Sequence, residues 1–178
     1  MFSRRAPLEV EIGSGKARFL IASARACPTN DFLGVERSLS YYRLCRERVA
    51  RAGLANARVV RSDGRIFVEM ALSPSSVRAF HVYFPDPWPK KRQKKRRLLD
   101  GVFLELLATR LEPGGTLRIA TDHPDYGARL GPLLETVPAL ERVAWASLPA
   151  PAQTNYELKY VREGRPIWRF AAKRRTGS

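Results

Sequence analysis

Phe84-Pro85-Asp86-Pro87-Trp88-Pro89 runs directly into Lys90-Lys91-Arg92-Gln93-Lys94-Lys95-Arg96-Arg97. The prolines fix φ and remove amide donors, so Asp86 sits in a loop that is stiff before any ligand arrives. A carboxylate beside a planar ring suits recognition of a base: Asp86 can accept from ring donors and Trp88 can stack. The cations that follow can neutralise phosphates. Acid, ring and cations together point to chemistry on a nucleic-acid base. Trp88 taken alone fits core packing equally well.

A second set of residues lies earlier. Gly13-Ser14-Gly15 follows a short apolar-alternating stretch, and small residues there let backbone approach a ligand closely. A dinucleotide site wants a further glycine at position 18, where Arg18 stands. Glu11 also adds negative charge where a pyrophosphate would sit. A cationic ligand without phosphates fits better, and S-adenosylmethionine, with its amino group and sulfonium, is one. Glu36 comes about twenty residues beyond the glycines, where a carboxylate accepts ribose hydroxyls. Asp63 is placed to accept the adenine amino group. Each acid alone reads as a solvated loop carboxylate. Three at successive strand ends, in a chain with 17 acids against 32 lysines and arginines, read as a cofactor pocket.

The elements that must position these residues follow from periodicity. Residues 8–12, 31–36, 57–61, 79–84 and 116–121 read as strands, and 16–26, 39–52, 65–72, 98–110 and 125–136 as helices. Gly53 suits a helix C-cap, and Glu112-Pro113-Gly114-Gly115 a turn. Gly131-Pro132 is placed to bend the last of these helices. Further on, 140–146 and 167–171 read as strands, with 148–152 a loop. Alternating strands and helices predict an α/β fold: an open, mostly parallel sheet with helices on both faces, in a single domain over 1–178. Such sheets bind ligands outside the C-terminal strand ends. Turns 13–15, 36–37, 63–64, 85–90 and 121–123 would share that edge.

The totals agree. The chain has 178 residues, 44% of them apolar, enough for a packed core without staples. A formal net charge of +15 points to a polyanionic partner, and nucleic acid is the first candidate. Lys173-Arg174-Arg175 either adds to that contact or is solvated. Cys27 and Cys45 have no metal-ligand spacing and read as small helix fillers, so no metal site is expected. Neither a signal-peptide core nor a membrane-length apolar run occurs, and a cytoplasmic protein is expected. His81, within a strand, reads as packed or hydrogen-bonded, and Asp122 as a helix cap. Tyr41, Tyr42, Trp145, Trp168 and Phe170 read as packing residues.

Several segments resemble the bacterial tRNA (guanine-N7)-methyltransferases, a family of class I S-adenosylmethionine-dependent enzymes. They are Glu11-Ile12-Gly13-Ser14-Gly15-Lys16, Phe32-Leu33-Gly34-Val35-Glu36, Phe84 to Arg92, Lys95-Arg96-Arg97-Leu98, Thr121-Asp122 and Thr154-Asn155-Tyr156-Glu157. They run in the family's order across nearly the whole chain. The resemblance implies a Rossmann-like methyltransferase fold with a sheet of about seven strands. It implies transfer of a methyl group to N7 of a guanine in the variable loop of tRNA. Glu11, Gly13, Gly15, Glu36, Asp63 and Asp86 would line the cofactor pocket, with Asp86 also the catalytic residue. Lys90, Asp122, Thr154, Asn155, Tyr156 and Glu157 would bind the tRNA. Three departures stand out: Ala17 where the family often has glycine, Asn155 where it has lysine, and a start close to the first strand.

Two other readings stay open on the residues. Asp86-Pro87-Trp88 partly resembles the Asp-Pro-Pro-aromatic loop of base amino-methyltransferases. A non-catalytic RNA-binding protein on the same fold is the other.

Overall fold

The computed structural model describes residues 2–149 and 152–177. Strands and helices alternate: β1 (Leu8–Ile12), α1 (Arg18–Ala26), β2 (Asp31–Glu36), α2 (Leu39–Ala52), β3 (Ala57–Arg61), α3 (Gly64–Ala71), β4 (Val77–Tyr83), α4 (Gly101–Arg110), β5 (Leu111–Thr121), α5 (Pro124–Glu135), β6 (Leu140–Val143), α6 (Asn155–Arg162) and β7 (Trp168–Arg174). They build one seven-stranded sheet in the order β3-β2-β1-β4-β5-β7-β6. β7 alone runs against its neighbours, pairing antiparallel with both β5 and β6. The chain winds from β1 outward to β3, then returns to place β4 on the other side of β1. That reversal opens a crevice at the C-terminal ends of β1 and β4, the usual ligand position in such sheets.

Side-chain alternation divides the sheet into two unlike faces. Val10, Leu33, Val35, Phe80, Val82, Leu117 and Ile119 join Phe67, Phe103, Leu107 and Leu130 in an apolar core under α3, α4 and α5. The opposite face is apolar where α1 and α2 cover it, through Leu20, Ala24, Phe32, Cys45 and Val49. Beneath the crevice it carries Glu9 and Glu11 from β1, His81 and Tyr83 from β4 and Arg118 from β5. His81 bridges Glu9 (Nε2 to Oε2, 2.8 Å) and the Tyr83 hydroxyl (2.9 Å). Burial holds the imidazole below its ordinary pKa. The neutral ring therefore donates to the Glu9 carboxylate and accepts from Tyr83. As expected, His81 is packed and hydrogen-bonded.

Several element boundaries differ from expectation, some for local reasons. α1 starts at Arg18 because Ala17 adopts the left-handed region (φ 61°). α4 starts at Gly101, not 98, because the Asp100 carboxylate caps it, accepting from the Phe103 amide at 2.9 Å. The expected turn over 112–115 lies inside β5, as an irregularity that shifts its register against β4 between Val77 and Ala79. α5 continues through Pro132. β6 stops at Val143 and a 3₁₀ turn, Trp145–Ser147, follows. Of the expected loop 148–152, Ala150 and Pro151 lie outside the described residues. Cys45 is buried as expected, but Cys27 is exposed beyond the end of α1. Within the tail, Arg174 donates to the Ser75 hydroxyl and the Leu111 carbonyl, and Arg175 to the Pro138 carbonyl. Lys173 is exposed. No helix among the described residues is long and apolar enough to cross a membrane. No group of three or more potential metal ligands occurs among them.

Candidate active site

The glycine-bearing loop between β1 and α1 is held against β2. Gly13 and Gly15 take positive φ (89° and 50°), which L side chains rarely adopt. The Gly13 amide donates to the Val35 carbonyl at 2.8 Å. Glu36, buried at the end of β2, clasps two turns at once. Its Oε2 accepts from the Gly15 amide at 2.9 Å and its Oε1 from the Ser38 amide at 2.8 Å. Each oxygen keeps a further lone pair for a ligand hydroxyl. Gly34, beside this clasp, leaves no room for a methyl group: a Cβ there would stand 2.4 Å from Ser14 Oγ.

Glu11 is the most unusual group of the molecule. It is the penultimate residue of β1, near Glu36, only 5% exposed, and its Oε2 has no hydrogen-bond partner among the described residues. Burial, with the Glu36 charge adding and Ser14 opposing, pushes its pKa to about 8. A buried acid with an orphaned oxygen is costly unless a cation meets it. The amino group of S-adenosylmethionine would supply such a cation, so the residues present fit this cofactor. Asp63, at the end of β3, caps α3 through Oδ1, accepting from the Arg65 amide at 2.9 Å and the Ile66 amide at 3.4 Å. Its second oxygen is left for another donor.

Across the crevice, the Asp86 loop is strained as well as proline-stiffened. Phe84 and Trp88, on either side of Pro85-Asp86-Pro87, both adopt positive φ (51° and 42°). Such residues cost on the order of 1–3 kcal/mol each and persist only where surroundings impose them. Two contacts do so. The Phe84 amide donates to the Ala120 carbonyl at 2.7 Å, and Arg97 Nε donates to the Pro87 carbonyl at 2.8 Å. Arg97 is buried, lies 4.6 Å from the Tyr126 ring centroid and pairs with Asp125. Two cations of 91–97 turn to the protein itself. Arg97 is a clamp on the loop, and Lys94 is paired with Asp125 at 2.7 Å. Hydrogen bonds from Lys94 and then Arg97 hold the Asp125 carboxyl down to about 2. Lys90, Lys91, Arg92, Lys95 and Arg96 remain exposed, Arg96 lying over the Trp88 ring at 5.2 Å. Asp86 itself is 70% exposed, with Arg37 at 3.8 Å.

The segment 154–157 was expected as a substrate contact without a structure to carry it. It is the start of α6, and its Thr-x-x-Glu spacing is the sequence signal of a capped helix. Thr154 Oγ1 accepts from the Glu157 amide at 3.0 Å. Glu157 pairs with Arg169 of β7 at 2.6 Å. Asn155 and Tyr156 point outward. The Tyr156 ring lies 6.0 Å from Phe84, and Tyr160 lies 5.3 Å from it. Burial, then the neighbouring Tyr41, then the Asp86 and Glu36 carboxylates push the Tyr156 hydroxyl above its ordinary pKa. Tyr156 is thus within electrostatic reach of Asp86 and Glu36, and Tyr41, 39% exposed, is not a packing residue. Asp122 does not cap α5. His123 does, accepting from the Tyr126 amide, while Asp122 faces Arg165 at 3.4 Å.

A family model described as "Putative methyltransferase" matches residues 5–170. Among solved structures, the 16S rRNA methyltransferase KamB superposes with a TM-score of 0.66 at 14% identity, covering 99% of this chain and 90% of its own. TrmN from Thermus thermophilus does so at 0.65 and 16%, covering 97% and 45%. These two likenesses concern the fold. Sequence likeness reaches further. A tRNA (guanine-N(7)-)-methyltransferase of Bordetella parapertussis is 40% identical over 97% of this chain and 69% of its own length. One of Thiobacillus denitrificans is 36% identical over 98% and 78%. With a methyltransferase sheet, a crevice rimmed by acids and relatives of this identity over nearly its whole length, the chain belongs to the tRNA (guanine-N7)-methyltransferase family.

Proposed function

We propose that this chain, acting in the cytoplasm as a single domain over 1–178, transfers the methyl group of S-adenosylmethionine to N7 of a guanine in the variable loop of tRNA. The observation that carries the reading is the juxtaposition at one crevice of two unlike acids. Glu11 is buried with an orphaned oxygen, and Asp86 is exposed on a strained loop. The first suits a cationic donor and the second a base with donors on its edge.

When bound, the donor supplies an electrophilic methyl group on a sulfonium. Glu11 would hold the donor's amino end, Glu36 its ribose hydroxyls and Asp63 its adenine amino group, beside the Gly13–Gly15 backbone. Guanine N7 bears a lone pair and no proton, so no side chain need act as a base. The protein's task is alignment and exclusion of water, which supplies roughly 7–11 kcal/mol in the best intramolecular cases. The Asp86 carboxylate accepts from guanine N1–H and the exocyclic amine, displacing Arg37. That selects guanine over adenine and favours the positive charge that develops on the base. Tyr156 and Asn155 present outward from α6 toward the RNA, while Thr154 and Glu157 anchor that helix. Lys90 and Asp122 flank the base from the neighbouring loops.

The test is incubation of unmodified tRNA with labelled S-adenosylmethionine, followed by strand cleavage at N7-methylguanine. Cleavage at one variable-loop guanine is expected. Label on an exocyclic amine, or none at all, would overturn the reading.

A further inference from the structure

Away from the crevice, α1 and α2 leave between them an open groove of about 550 Å³. Lys16, Arg18, Arg25, Arg48 and Arg51 line it, and no acidic side chain does. Arg18 and Arg25 are seven residues apart on α1, on one helix face and roughly 10 Å apart along the axis. Arg48 donates to the Lys16 carbonyl at 3.1 Å, which ties α2 to the glycine-bearing loop. Arg51 pairs with Glu47 on its own helix. Lys16, Arg18, Arg25 and Arg48 form no ion pair among the described residues. Like charges gathered around one concavity repel, and a polyanion is the partner that relieves them.

Position in the fold narrows the partner. Lys16 belongs to the loop that borders the crevice, and Asn155, which also lines the groove, starts α6 beside Tyr156. A nucleic-acid strand that places a base in the crevice must carry its neighbouring phosphates past this rim. The basic run 90–97 is tied by Lys94 and Arg97 to α5, on the opposite face of the sheet. We infer that the α1–α2 groove binds the sugar–phosphate backbone of the same tRNA whose guanine enters the crevice. The RNA is thus gripped on both faces of the sheet, with the reacting base between. The inference rests on the tRNA reading above.

The experiment compares the wild-type chain with an Arg18→Ala/Arg25→Ala variant and an Arg18→Lys/Arg25→Lys variant. Fluorescence anisotropy gives the Kd for unmodified tRNA across a potassium chloride series, and calorimetry gives S-adenosylmethionine binding. The alanine pair is expected to weaken tRNA binding about tenfold near physiological salt and to lower the slope of log K against log salt by about 1–2. Its KM for tRNA should rise with kcat at saturating tRNA unchanged, and cofactor binding should match wild type. The lysine pair should stay close to wild type, since charge is kept. An alanine pair that binds tRNA with unchanged Kd and slope overturns the groove alone. So does a lysine pair as impaired as the alanine pair, because the arginines would then be structural. A wild-type chain that neither binds nor methylates tRNA overturns the substrate reading itself.

Discussion

Replacing Glu11 by glutamine probes the cofactor site through protons as well as affinity. Its pKa in the folded chain is about 8, against an ordinary 4.5, because burial penalises the anion. At pH 7 only about a tenth of the molecules then carry the charge, and apparent affinity for a cationic donor falls by that fraction. Between pH 6 and pH 7 the ionised fraction, and with it the affinity for S-adenosylmethionine, should climb roughly tenfold. Above that range the donor's own α-amino group begins to titrate, at about 7.7–8.0. Binding near pH 7 should release close to one proton, read by calorimetry in buffers of different ionisation enthalpy. Glu11→Gln should abolish both the climb and the release. A buried charge pair is worth about 3–5 kcal/mol when one partner is removed. Ionisation at pH 7 takes back about 1.4 kcal/mol. The net loss of about 2–4 kcal/mol is roughly 30- to 1,000-fold in Kd. Stability without donor gives an independent reading. A folded pKa raised above the unfolded one contributes stability that is fully present below about pH 4.5 and is lost as pH rises through about 8. The wild-type-minus-variant difference in urea unfolding should therefore decline over that window by up to about 5 kcal/mol. A flat difference, or donor binding with no proton released from the wild type, would refute the assignment.

Asp86→Asn should lower turnover by about 10²-fold or more, the scale of losing one transition-state contact, with donor affinity nearly kept; near-full turnover in the methylation assay would contradict its role. Arg97→Ala removes the clamp on the Pro87 carbonyl and leaves Asp125 short of a partner. It should cost about 2–4 kcal/mol and lower Tm by roughly 5–15 °C in calorimetric scans. Gly34→Ala forces a methyl group against Ser14, and a loss of about 1–3 kcal/mol together with weaker donor binding is expected by urea titration and calorimetry. Wild-type affinity for tRNA should fall steeply between low and moderate potassium chloride; unchanged binding would contradict the five exposed cations of 90–96 as phosphate contacts.

How much of this was legible beforehand depends on the range of the interactions. Strand β1 declares itself because Leu8-Glu9-Val10-Glu11-Ile12 alternates, and the core side of that alternation is what the sheet buries. α2 is legible from end to end because both caps are local, Ser38 at its start and left-handed Gly53 at its end. α6 was missed although Thr154-x-x-Glu157 announces it, since the helix has no fully buried residue to reveal a periodic apolar stripe. The irregular start of β5 reads as a turn in the sequence, because Pro113 and Gly114 signal one and only pairing with β4 carries the strand past it. In the sequence Arg97 is indistinguishable from its basic neighbours. Nothing in a run of cations marks which one folds inward onto Asp125 and Tyr126.

By itself the sequence determined the order of strands and helices apart from α6, the acids at successive strand ends and the proline-bracketed Asp86. These depend on neighbours within a few residues, where backbone sterics and side-chain period act. Only the tertiary structure decided which acid lost its water, which cation became a clamp, and that Tyr156 reaches the crevice from more than a hundred residues beyond Glu36. Burial and charge pairing are set by what the rest of the chain brings alongside, and no local pattern encodes that.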